Sequence, residues 1–198
     1  MSAAAGCIDL LRHGEAAGGR RYRGSTDDPL TATGWEQMRS AVAGGAWDCI
    51  VSSPLSRCRA FAEALAAERG IDLAVDARLR EMGFGCWEGR SAEELMRDER
   101  DALLRFWADP VANAPPDGEP LVEVARRVLE AWHEHAARTA GARVLMVSHG
   151  GPIRVILGHL AGVPDSALIT LPVPLASLHR IELGDGRPQA VPRRTECA

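Results

Sequence analysis

Two short apolar runs, far apart in the chain, each end in histidine and glycine, and they restrict the fold more than any other feature. Cys7-Ile8-Asp9-Leu10-Leu11 leads into Arg12-His13-Gly14-Glu15, and Arg143-Val144-Leu145-Met146-Val147-Ser148 leads into His149-Gly150. Short, nearly continuous apolar runs read as strands buried on both faces. Open α/β sheets bind their ligands at strand carboxyl ends, so two such units are expected to bring two imidazoles to one sheet edge. The chain between them alternates strand and helix. That order implies a mostly parallel sheet with helices on both faces, an α/β three-layer sandwich.

The remaining elements follow from punctuation and periodicity. A helix is expected from about Thr33 to Ala43, ended by Gly44-Gly45. Trp47–Val51 reads as the second strand, stopped by Ser52-Ser53-Pro54, and Leu55–Arg69 as a helix closed by Gly70. Leu55, Cys58, Phe61 and Leu65 give that helix its buried face. Ile71–Val75 is a third strand. Ser91, with Glu93 and Glu94 behind it, caps further helical pieces running to about Trp107. Residues 84–120 break the alternation and read as a helical insertion beside the sheet within one domain spanning residues 1–198. A long amphipathic helix follows from Leu121 to about Thr139, and another from Gly150 to about Ala161. Ala176–Leu183 reads as a last edge strand and the tail after Gly184 as irregular.

Composition narrows the classes. The 198 residues carry a net charge of −4, which argues against a general nucleic-acid binder without excluding a local anion pocket. No apolar run approaches the roughly 20 residues of a membrane span, and Met1–Gly6 carries no basic, apolar leader pattern. Five cysteines, Cys7, Cys49, Cys58, Cys86 and Cys197, include no Cys-x-x-Cys pair and read as unpaired thiols in a reducing cytoplasm.

His13, Arg57, Glu81 and His149 all lie just past strand carboxyl ends. Arg12 and Arg57 can grip a tetrahedral oxyanion with planar donor forks. Gly150 and Gly151, at a helix start, add backbone N–H groups for the same anion. A neutral imidazole can attack phosphorus, and Glu81 can pass a proton to the leaving oxygen. Taken singly, each residue has a plain structural reading: a capping histidine, a surface arginine, an ion-pair partner for Arg78 or Arg80. A metal site built from His13, His149 and Glu81 is the rival use, disfavoured by the adjacent arginines.

At these positions the chain resembles the histidine phosphatase superfamily, in its phosphoglycerate-mutase-like branch. The resemblance runs through Leu11–Glu15, Arg23–Thr31, Val51–Arg57, Leu79–Met82 and Val147–Gly150, and covers about residues 7–160. It implies His13 as the phosphorylated nucleophile, with Arg12, Arg57, His149 and Gly150 around the phosphate. It implies Glu81 as general acid and base, one antiparallel edge strand, and neither metal nor cofactor. The run Glu81-Met82-Gly83-Phe84-Gly85-Cys86-Trp87-Glu88-Gly89 resembles α-ribazole phosphatases, which act late in cobalamin assembly. This makes a small phosphomonoester the expected partner, with no nucleic acid or membrane, and leaves a homodimer open. Arg21, Arg23, Gly24 and Ser25 are candidate substrate contacts, and Phe84, Trp87 and Trp107 a candidate aromatic shelf. Ala16 and Gly19 depart from the family, which commonly has Ser or Thr and Asn there. Two polar contacts are therefore missing, which implies either lower activity or their replacement by Arg21, Arg23 or Ser25. A phosphoglycerate mutase and a phosphate-binding module with weakened catalysis are the alternatives to a phosphatase.

Overall fold

The computed structural model describes residues 6–139, 141–184 and 189–191. The expectations for Met1–Ala5 and Cys197, and for the tail apart from 189–191, lie outside the described residues. The strands are β1 (Gly6–Arg12), β2 (Cys49–Ser52), β3 (Asp72–Val75), β4 (Arg143–Ser148), β5 (Leu178–Leu183) and β6 (Gln189–Val191). They form one sheet in the order β3-β2-β4-β1-β5-β6. The first four are mutually parallel, and β5 runs antiparallel to β1. The antiparallel strand is the expected one, but the three residues of β6 pair with it and take the outer position. The tail is therefore not irregular throughout.

Side-chain alternation along the central strands builds two cores. Ile8, Leu10, Val144 and Met146 point to one face, where α5 (Leu121–Arg138) and α6 (Gly150–Ala161) supply Val124, Val128, Trp132, Ile153 and Ile156. Leu11, Leu145 and Val147 point to the other, under α1 (Ala32–Val42) and α2 (Ser56–Arg69). Strands clothed on both faces have no polar side, which is why their sequences are nearly continuous apolar runs. From the segment expected as an insertion, Trp87 in the 3-10 turn Gly85–Trp87, Leu95 on α3 (Ala92–Asp98), and Leu103 and Phe106 on α4 (Arg100–Ala108) join the first core.

Local chemistry sets the helix ends. The Thr31 hydroxyl accepts from Gly34 N–H at 3.0 Å, and Ser91 forms a reciprocal capping box with Glu94. Gly70 closes α2 with φ 63°, a left-handed position suited to glycine. Gly14 and Gly34 meet face to face, and a Cβ on Gly14 would run into the Gly34 carbonyl oxygen. This contact lets the turn after His13 lie flat on the start of α1. Several strand boundaries differ from the sequence reading, with β3 starting at Asp72 rather than Ile71 and β5 at Leu178 rather than Ala176. β2 begins at Cys49, because Trp47 turns inward and its indole N–H donates to Asp9 at 2.8 Å. Cys49 is half-buried rather than buried. The cysteines among the described residues are unpaired, and no helix there is long and apolar enough to cross a membrane.

Asp9 is the one polar side chain inside the apolar run of β1. It is fully buried and also accepts two hydrogen bonds from Arg180 on β5, at 2.9 and 2.8 Å. Removing it leaves an indole donor and a guanidinium facing an empty acceptor position. Asp9→Ala is expected to cost about 2–4 kcal/mol, measured by denaturant unfolding.

Candidate active site

β1, β4, β2 and β3 are parallel, so their carboxyl ends share one edge. His13 follows β1, His149 follows β4, Arg57 lies in the first turn of α2 after β2, and Glu81 follows the short 3-10 turn Ala77–Leu79 after β3. The β1–β4 register sets Arg12 opposite Ser148, and His13 N–H donates to the Ser148 carbonyl at 3.0 Å. The two imidazoles meet edge to face with ring centres 5.2 Å apart.

His13 is buried, and its Nδ1 lies 2.7 Å from the Gly14 carbonyl oxygen. A carbonyl only accepts, so Nδ1 carries the proton and Nε2 presents a lone pair. Burial pushes the His13 pKa down to about 3, against the Gly14 bond and with the help of Arg57, Arg12 and Arg23. The ring is neutral at physiological pH. Arg12 donates through Nη1 to the Val173 carbonyl, while its buried Nε has no hydrogen-bond partner among the described residues. Burial lowers the Arg12 pKa against the opposing charge of Glu81. Arg57 is fully buried and held at three points. It donates to the carbonyls of Thr26 at 2.8 Å and Gly24 at 3.0 Å, and through Nε to His149 Nδ1 at 3.3 Å.

His149 stands one layer behind His13. It is fully buried, with Nε2 bonded to the Ser53 hydroxyl at 2.7 Å and Nδ1 accepting from Arg57. Burial, then the charge of Arg57, drives its pKa well below the ordinary histidine value. The structure thus brings His149 beside the nucleophile candidate but uses its ring nitrogens on Ser53 and Arg57. Ser53 is a site residue that the sequence reading left as a strand terminator.

Glu81 Oε1 accepts from the N–H groups of Met82 at 3.0 Å and Gly151 at 3.1 Å. A Cβ on Gly151 would run into this oxygen, so a larger residue there would push the Glu81 carboxylate aside. Arg12, His13, Arg57, Glu81 and Gly150 line one cavity of about 640 Å³. Arg154, one helical turn beyond Gly150, also lines it and is anchored by its Nε to the Leu171 carbonyl at 2.9 Å. It escaped the sequence reading because an arginine one turn inside a helix looks like any solvated side chain. Among the described residues, no three histidine, cysteine or acidic side chains group as metal ligands.

The loop after His13 departs from expectation at several points. Arg21 and Arg23 line the cavity but share Asp28, at 2.7 and 3.1 Å. Arg23 also donates to the carbonyls of Ala16, Ala17 and Gly19. Ala16 and Gly19 have no polar side chain to hold this loop, and the Arg23 guanidinium holds it through their backbone instead. Gly24 contributes its carbonyl to Arg57 rather than a surface to the cavity. Ser25 turns away, its hydroxyl donating to Glu88 at 2.7 Å. Glu88 accepts further bonds from the N–H groups of Ser25, Thr26 and Phe84 and from the Thr26 hydroxyl. Burial alone would raise its pKa, but these donors outweigh it and hold the carboxyl below its usual range. Glu88 thereby fixes the loop whose carbonyls hold Arg57.

Of the three candidate shelf residues, Phe84 lines the main cavity, whereas Trp87 is 1% exposed in the core with its indole N–H on Glu99. Trp87 is corrected from substrate contact to core. Its ring packs against those of Tyr22 and Phe106, with centroids 5.8 and 5.5 Å away. Phe84 and Trp107 instead line a second cavity of about 360 Å³, with Tyr22 and Phe106. Tyr22 hydroxyl accepts from the Trp107 indole at 3.0 Å. Tyr22, Glu81, Phe84 and Arg154 border both cavities.

A family model for the histidine phosphatase superfamily (branch 1) matches residues 8–194. The chain belongs to the histidine phosphatase superfamily. It is 34% identical over 181 residues to a probable phosphoglycerate mutase, GpmB, of Escherichia coli O1:K1 / APEC, covering 88% of this chain and 84% of that protein. It is 38% identical over 177 residues to the bifunctional protein Rv2228c of Mycobacterium tuberculosis, covering 85% of this chain. The match spans only 48% of that relative's length. The crystal structure of a putative alpha-ribazole-5'-P phosphatase from Escherichia coli K-12 superposes with a TM-score of 0.82 at 26% identity, covering 94% of this chain and 95% of that one.

Two neutral, buried imidazoles make the protein acid-sensitive. Between the ordinary histidine value of 6.5 and about 3, the unfolded chain binds protons that native His13 does not, and His149 behaves alike. The unfolded state binding more protons means that stability rises with pH in this window and is lost as pH falls. The expected slope reaches about 1.4 kcal/mol per pH unit for each histidine. Chemical denaturation between pH 7 and 5 measures it, and His13→Asn should reduce the slope by one histidine's share.

Proposed function

We propose that the protein is a phosphomonoesterase that works through a phosphohistidine at His13 Nε2. The observation that carries this reading is the buried, neutral His13, its Nδ1 proton tied to Gly14 and its Nε2 free beside Arg12 and Arg57. The imidazole lone pair attacks phosphorus, the P–N bond forms and the bond to the leaving oxygen breaks. Glu81 delivers its proton to that oxygen, releasing the alcohol. Water then attacks the phosphohistidine while Glu81 takes its proton, and the P–N electron pair returns to Nε2. Inorganic phosphate leaves and the starting state is restored. Arg12 and Arg57 face charge that spreads over the equatorial oxygens in both steps, with the Gly150 N–H at the start of α6. His149 acts through the Arg57 Nε it accepts.

The leaving group has a chemistry of its own. Glu81 borders both cavities, and beyond it stand the rings of Tyr22, Phe84, Phe106 and Trp107. A planar, weakly polar leaving group fits such walls. α-Ribazole 5′-phosphate is a phosphomonoester of this class, and the resemblance of the Glu81–Gly89 run and the structural likeness to a putative α-ribazole-5′-P phosphatase support it. The likeness to a probable phosphoglycerate mutase favours a second reading. A glycerate, however, has no apolar group to place against four aromatic rings.

His13→Ala is expected to lower turnover at least about 10³-fold and to abolish acid-labile, alkali-stable phosphate trapped on the protein. Substantial retained activity would remove His13 as nucleophile. Glu81→Gln should cost about 10²-fold or more on alkyl phosphates and far less on p-nitrophenyl phosphate, whose leaving group needs no proton. Trp107→Ala is expected to raise KM for α-ribazole 5′-phosphate about tenfold while sparing p-nitrophenyl phosphate. Rapid exchange of 3-phosphoglycerate in the presence of 2,3-bisphosphoglycerate, with little free phosphate, would overturn the phosphatase reading in favour of a mutase.

A further inference from the structure

The segment that carries Glu81 is gripped from behind by a buried ion pair. Arg127, on α5, is 5% exposed, and its guanidinium donates to the carbonyls of Arg78 at 2.6 Å, Arg80 at 2.8 Å and Glu81 at 3.1 Å. The same guanidinium meets Glu119 in a two-pronged pair at 2.7 and 2.8 Å. Glu119 in turn accepts from Gly83 N–H at 3.3 Å and from Arg80 at 3.1 Å, while its own N–H donates to the Gly83 carbonyl at 2.8 Å. Backbone groups on both sides of Glu81 are thus fixed by one guanidinium–carboxylate pair. None of these bonds touches the Glu81 carboxylate, which is held separately by Met82 and Gly151.

A short connection with three carbonyls pointing the same way does not form by itself, because nothing in an isolated loop satisfies them. A planar guanidinium with five N–H donors does so, and lysine does not, since its compact ammonium cannot span the fork. The arrangement costs the desolvation of two charges and is not an efficient way to stabilise a fold. It does fix a backbone to within the fractions of an ångström that proton transfer requires.

We propose that Arg127, paired with Glu119, is a positioning residue for proton transfer by Glu81, an inference that rests on the role of Glu81 argued above. Its removal should act on the chemical step where a proton is needed, and barely where it is not. Arg127→Met, which keeps the apolar stem, is expected to lower kcat on an alkyl phosphate about tenfold or more. KM should change little, and p-nitrophenyl phosphate should be affected less than about threefold. Arg127→Lys, whose ammonium cannot span the fork, should show the same loss of kcat on the alkyl phosphate with p-nitrophenyl phosphate spared. In a Glu81→Gln background, Arg127→Met should add almost nothing, because both changes remove one function. Equal losses on the two substrates, or multiplicative losses in the double variant, would overturn the proposal and leave Arg127 as a structural residue only. If Glu81→Gln itself fell equally on both substrates, the role of Glu81 would fail first, and the proposal with it. Should Arg127→Met not fold, Arg127→Lys and Glu119→Gln carry the same comparison between substrates.

Discussion

β1 and β4, separated by most of the chain, are hydrogen-bonded as parallel neighbours from Cys7 opposite Arg143 to Arg12 opposite Ser148. This register puts the next residue of each strand, His13 and His149, side by side at the sheet edge, and the rest of the site is arranged around that contact. A one-residue slip would move every side chain of a strand to the other face. Ile8 and Leu10 would then leave the core under α5 and α6, and Leu11 the core under α1 and α2. Packing on both faces therefore holds the register, and the register holds the imidazoles.

The electrostatics of the edge are unusual for a protein with net negative charge. Arg12, Arg57 and Arg154 hydrogen-bond to carbonyls or to His149, and among the described residues none pairs with a carboxylate. Arg21 and Arg23, by contrast, share Asp28. The two histidines stay neutral because a proton there would have to enter a buried site already surrounded by guanidinium groups. Arg12, Arg57 and Arg154 line the cavity together with Glu15 and Glu81, so its wall carries more cationic than acidic side chains and suits a phosphate dianion. The same arrangement that makes the site acid-labile prepares it for a phosphate ester.

Much of this was legible in the chain. His13, Arg57, Glu81 and His149 are recognisable because each follows an apolar run or its continuation, and parallel strands deliver such positions to one edge. Ser53, Glu88, Arg127 and Arg154 were not legible as site residues. Their partners are remote in sequence, and a serine after a strand or an arginine in a helix has many ordinary uses. Trp87 was misplaced for a related reason. An aromatic residue beside a motif can face the cavity or the core, and local sequence does not distinguish the two.

By itself, the sequence determined the strand and helix order, the identity of the residues at the strand ends and the apolar periodicity that gives each helix one buried face. These are local properties, set by side-chain chemistry at fixed spacing. Only the tertiary structure decided that β4 inserts between β1 and β2, that β6 covers β5, and that His149 gives its nitrogens to Ser53 and Arg57. It also decided which aromatic rings open beside Glu81. Those outcomes depend on contacts between segments tens of residues apart, where packing on both faces of the sheet and the pairing of buried donors and acceptors leave one arrangement.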